Sequence, residues 1–125
     1  MLRKFSVIAA AAVATVAVAA CGGYDPTDAA NAYANDVNAT WQTYVTDHGL
    51  TSAEATSAGV TFTCPTNVQK DQDFACTLKG KNTGESVDVQ MQINSSDELV
   101  PANQGTFEAA DVRIEAAELA AIPQQ

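Results

Sequence analysis

Hydrophobic and polar positions change their spacing several times along this chain, and each change marks an element. From Phe5 to Ala20 the chain is apolar except for Ser6 and Thr15. Between Asp25 and His48 apolar residues recur every three or four positions: Ala30, Ala34, Val37, Trp41, Tyr44 with Val45, then His48. That spacing predicts an amphipathic helix. Asp25 or Thr27 is suited to cap its first amides, Pro26 suits its first turn, and Gly49 can end it in a left-handed conformation. Asn31, Asn35, Asn38 and Gln42 fall largely on the opposite, wet side. Thr51 to Ser57 is ambiguous, although Ser52 before Ala53-Glu54-Ala55 fits a short helical turn.

After Gly59 the period drops to two. Val60, Phe62 and Cys64 share one strand face, as do Phe74, Cys76 and Leu78, and then Val87, Val89, Met91 and Ile93. Polar stretches (67–73, 79–84 with its two glycines, and 94–97) separate these runs, and Glu98-Leu99-Val100 offers a fourth strand. The pattern predicts an α+β domain: an N-terminal amphipathic helix packed on a three- to four-stranded antiparallel meander, one sheet face covered and one wet. Trp41, with Val37 and Tyr44, is expected against a sheet face of Val60, Phe62, Val87, Val89 and Met91. The tail from Thr106 to Ile122 is helix-prone in composition, with Phe107, Ala110, Ile114, Ala117 and Ala121 on one side and Pro123 ending it. Its start also alternates, so a strand there fits as well.

The apolar run at the start has a further meaning. Arg3 and Lys4 precede it, and Val18-Ala19-Ala20-Cys21 closes it. This order resembles a bacterial lipoprotein signal peptide with its lipobox, an aliphatic residue and two small ones before a cysteine. The resemblance implies that the Cys21 thiol receives a lipid and that cleavage leaves Cys21 as the new N-terminus. A retained membrane helix would normally need ~20 apolar residues, more than this run supplies. Three segments follow: a signal peptide over 1–20, a lipidated tether over 21–26 and one small domain over 27–125.

Cleavage before Cys21 would leave 105 of the 125 residues, with four basic and fifteen acidic side chains and a formal charge of −11. That balance argues against nucleic acid as a partner, because phosphate binding needs a positive field. It also leaves the lipid on Cys21, not electrostatics, as the membrane attachment. The expected address is the extracytoplasmic face of the cell membrane. Lipidation of Cys21 leaves Cys64 and Cys76, an even pair that in an exported domain reads as a disulfide.

Val60-Thr61-Phe62-Thr63-Cys64-Pro65, then Phe74-Ala75-Cys76, then a glycine-containing hairpin and an alternating strand resemble a small actinobacterial lipoprotein family built on domain of unknown function 4333. The likeness covers roughly residues 29–100. Asp71 stands where such sequences usually have glycine, and aspartate tolerates a left-handed turn better than most residues. The resemblance implies fold and address but no activity.

Residues that suggest chemistry are few. His48 is the sole histidine and sits at a helix end, where the dipole favours a cation. Asp71 with Asp73, and Asp97 with Glu98, are acidic pairs without the ligand density of a calcium loop. No zinc ligand set, phosphate loop or redox cysteine spacing is present, so no catalytic residue, metal or cofactor is expected. The leading expectation is a non-catalytic binding or accessory module with an unidentified envelope protein partner. An inhibitor-like protein presenting its hairpin loops, and an envelope enzyme with unrecognised catalytic groups, are the alternatives.

Overall fold

The computed structural model describes residues 23–122 and, for the backbone, Ala17 and Val18. The proposed lipidation site Cys21 lies outside the described residues, as does nearly all of the 1–20 segment. Strand β1 (Ala17–Val18) pairs antiparallel with β2 (Tyr24–Asp25). Helix α1 (Thr27–Asp47) follows, then a short helix α2 (Ala53–Ser57). Strands β3 (Val60–Thr63), β4 (Phe74–Gly80), β5 (Ser86–Ile93) and β6 (Leu99–Pro101) lead into helix α3 (Gln104–Ala120). The fold is α+β, as the periodicity predicts, and the tail is a helix.

β3 to β6 form an antiparallel meander in sequence order. Its apolar face carries Phe62, Cys76, Leu78, Val89, Met91, Ile93 and Leu99, all buried, while Thr61, Thr63, Lys79, Asp88 and Gln90 face water. Both long helices cover the apolar face, α1 along β3 and α3 along β4 and β5. Covering one face of a sheet and leaving the other polar is the usual solution for an antiparallel meander.

Local signals set the helix ends. The Asp25 carboxylate accepts from the Thr27 amide at 3.0 Å, satisfying a first-turn donor. Gly49, at φ +64°, terminates α1 in the left-handed region. Ser52 Oγ caps α2 by accepting from the Ala55 amide at 3.2 Å, and Asn103 Oδ1 caps α3 by accepting from Thr106 at 2.9 Å. Asp71 adopts φ +63°, a left-handed turn that aspartate tolerates better than most residues.

Several side chains depart from the expected core, Tyr44 moving with Trp41. Trp41 is buried but does not lie on the sheet; it packs with Tyr44, Val45, Ala55, Ala58 and Ile122. The reason is length. At 1.5 Å per residue the 21-residue α1 runs ~30 Å, whereas the four-residue β3 beside it runs ~13 Å. The C-terminal half of α1 therefore overshoots β3, and α2 and the end of α3 close over it as a second core. Tyr33, absent from the expected stripe, takes the central place, its ring 5.2 Å from Phe62 and 5.4 Å from Phe107. His48, expected at the end of the stripe, is exposed. On α3 the inner face holds Asp111, Glu115 and Glu118 beside Phe107, Ala110 and Ile114, while Ala121 is exposed.

Candidate functional site

The edge of the sheet at β3 leaves backbone open beside a cleft. In an antiparallel ladder only alternate residues of an edge strand turn their N–H and C=O toward the neighbouring strand. Lys81 N donates to Gly59 O at 2.9 Å, which makes Gly59–Lys81 a hydrogen-bonded pair. In the observed register Thr61–Lys79 and Thr63–Thr77 then bond likewise, and Val60 and Phe62 direct their polar groups away from β4. Asn38 confirms that direction. Its Oδ1 accepts from Val60 N at 2.8 Å and its Nδ2 donates to Val60 O at 3.0 Å. Asn38 was expected on the wet face of α1; it is half-buried because the β3 backbone needs it.

Phe62 has no such partner among the described residues, and its backbone groups look into a cleft of about 320 Å³ between α1 and β3. Asn31, Ala34 and Asn35 form one wall, Thr61 and Thr63 the other, and Lys81 closes an end. Asn38→Ala should cost about 1–3 kcal/mol by orphaning a buried strand amide and carbonyl. Asn35→Ala, one helical turn away and exposed, should stay within ~0.5 kcal/mol. Urea melts of both variants check this, and equal midpoints would mean that the Val60 backbone is open to water.

Cys64 and Cys76 are joined, with Cα atoms 4.3 Å apart. Phe62 opposes Leu78 in the register, so Cys64 continues the ladder directly opposite Cys76. The bridge closes the polar 65–75 loop and contributes on the order of 3 kcal/mol by loop entropy. It also fixes the end of β3 beside the open edge.

A pair of interacting acids in the interior, Asp111 and Glu115, is sealed. Tyr33 O–H donates to Asp111 Oδ1 at 2.5 Å, and both side chains are buried. Asp111 Oδ2 and both Glu115 oxygens meet no N–H or hydroxyl donor, and the two carboxyls face each other. Burial first, then the neighbouring Asp111 carboxyl, pushes the Glu115 carboxyl up to about 11. Asp111 is raised as well, by burial, against the pull of its Glu115 and Tyr33 hydrogen bonds. Glu115 therefore holds its proton at neutral pH and shares it with the Asp111 carboxyl. Burial and the adjacent Asp111 charge keep the Tyr33 phenol protonated too.

Glu118 is different. Its buried carboxylate accepts from three backbone amides: Gly59 at 3.1 Å, Asn82 at 3.0 Å and Thr83 at 2.8 Å. It clamps the β4–β5 hairpin to the entry of β3. Gly80 provides the space, since a Cβ there would stand 2.7 Å from Glu118 Oε2. These acids were not singled out in the sequence, although Asp111, Glu115 and Glu118 repeat at four and three residues on the Phe107–Ile114 arc.

The other candidates are occupied locally. His48 caps α1, with Nδ1 2.9 Å from Tyr44 O and its ring stacked on Tyr44 at 4.0 Å. Asp73 accepts from Gln92 at 2.5 Å. Asp97 pairs with Lys70 at 2.5 Å, and Glu98 accepts from Asn94 at 3.1 Å. Among the described residues no group of three or more histidine, cysteine or acidic side chains is placed to hold a metal, and no helix is long and apolar enough to cross a membrane. A second cleft of about 230 Å³ lies between Asp73, Gln90 and the start of α3.

Comparison with protein-family models, with curated proteins and with solved structures finds no match to this chain.

Proposed function

We propose that this protein is a non-catalytic binding module, held at the extracytoplasmic face of the cell membrane by a lipid on Cys21 and serving a protein partner of the envelope. The observation that carries the binding half is the open edge of β3, with unpaired backbone beside a polar cleft, while the proton-sharing acids are sealed in the core. The membrane half rests on Arg3, Lys4, the apolar run and the Val18–Cys21 pattern, the features that resemble the actinobacterial lipoproteins. Within the stretch read as a tether, Tyr24 exchanges backbone hydrogen bonds with Val68 at 2.8 and 2.9 Å. Attachment at Cys21 would hold the domain against the bilayer.

Cys21→Ser should abolish incorporation of a fatty-acid analogue and leave uncleaved precursor; unchanged labelling would remove the membrane half. For the binding half, photo-crosslinking residues are placed in living cells at Thr61, Gln90 and Thr83, which sample the edge, the open sheet face and the hairpin tip. A discrete adduct at any of them supports the reading, and none at all three overturns it. An adduct at Thr83 alone would favour the inhibitor-like alternative, which gains support from Glu118 holding that hairpin rigid.

A further inference from the structure

The geometry points to a specific occupant for the β3 edge: an extended, acidic segment of a partner polypeptide that adds as a strand beside Phe62. This rests on the binding-module reading and says where and what the module binds. The backbone supplies the first argument. Phe62 presents an N–H and a C=O in strand geometry with no partner among the described residues, and strand addition is the interaction that satisfies both at once.

The helix wall supplies the second. Asn31, Asn35 and Asn38 lie at four- and three-residue spacing, so they share one face of α1. Asn38 already bonds a strand residue through both its N–H and its C=O. Asn31 and Asn35 are exposed, line the same cleft and make no intramolecular hydrogen bond among the described residues. Each can give an incoming segment the two-point contact that Asn38 gives Val60. Ala34 between them keeps the cleft open.

Charge supplies the third. Of the four cations in the described domain, Lys70 pairs with Asp97 and Arg113 with Glu85. Lys79 and Lys81 have no carboxylate partner among the described residues; Lys81 lines the cleft, and Lys79 stands one strand in from the edge, opposite Thr61. The domain's acidity does not cancel them. At physiological salt, charges beyond ~8 Å are largely screened, so the contacting lysines decide the local sign.

The probes are twelve-residue peptides alternating glutamate with valine or threonine, added to the full-length chain in detergent micelles. Backbone hydrogen exchange and binding are measured together. The expected result is at least tenfold slower exchange at the Phe62 amide. Binding should weaken at least tenfold in Lys79→Glu/Lys81→Glu, or when alternate peptide amides are N-methylated. Asn35→Arg, which fills the cleft from an exposed position, should also weaken it, with an unchanged circular dichroism spectrum in each variant. The proposal falls if no peptide protects Phe62, or if peptides with lysine for glutamate bind as well. It also falls if protection grows with protein concentration alone, which would make a second copy of this chain the occupant. Cellular adducts confined to Gln90 or Thr83 would sink the edge proposal while leaving the binding module standing.

Discussion

Glu115→Gln should flatten the pH dependence of this domain's stability and make it more stable at pH 7. The folded Glu115 carboxyl is raised from 4.5 to about 11, by burial and then by Asp111. Between those values the native state retains a proton that the unfolded chain has released, so native stability falls as pH rises through that window. One proton corresponds to ~1.4 kcal/mol per pH unit, or ~2–3 kcal/mol between pH 5 and 7. Glutamine has the same shape and can donate from its amide to the Asp111 carboxyl without titrating. The variant should therefore match the wild type near pH 4.5 and exceed it by ~2–3 kcal/mol at pH 7. Urea melts across pH 4.5–8 measure the difference, with the exposed Glu54→Gln as a control for overall charge. Parallel curves for wild type and Glu115→Gln would mean that Glu115 ionises in the folded protein.

Glu118→Ala should cost about 3–5 kcal/mol, a large part of the ~5–15 kcal/mol available to a small domain. Three amides lose their acceptor at once: Gly59, Asn82 and Thr83. Leaving buried donors unsatisfied costs ~1–3 kcal/mol each, reduced where the exposed hairpin lets water in. Glu118→Gln keeps an acceptor oxygen but turns an N–H toward donors, so it should recover only part of the loss. Amide exchange at Asn82 and Thr83 should accelerate in both variants. A wild-type melting midpoint for Glu118→Ala would show that the hairpin holds itself in place.

The two variants separate the roles of neighbouring acids on one helix. At Glu115 the negative charge is the unfavourable state, and removing its possibility stabilises. At Glu118 three convergent dipoles replace the water that a carboxylate gives up on burial, and removing the acid destabilises. Residue type alone cannot distinguish them; the groups facing each carboxyl can.

Periodicity alone was enough for α1 and for strands β3 to β5, whereas it left the 53–57 turn and the start of α3 open and did not mark β1 and β2. Alternation in 60–64, 74–78 and 87–93 records a sheet with one wet face, and the three- and four-residue spacing of 30–45 records α1, because each pattern is set by local backbone geometry. The cysteine pairing was legible too, since two inward positions on adjacent strands can meet. Tertiary structure decided everything that depends on which faces meet. Trp41 fits either core by its spacing, and only the overshoot of α1 past β3 places it in the second. Asn38 looks wet by composition, yet an edge strand with outward backbone groups draws it inward. Asp111, Glu115 and Glu118 read as ordinary acids of a surface helix, because a sequence records charge but not the desolvation or amide donors that a distant hairpin brings. The open edge at Phe62 is likewise a property of what lies beside β3, namely that no further strand does among the described residues.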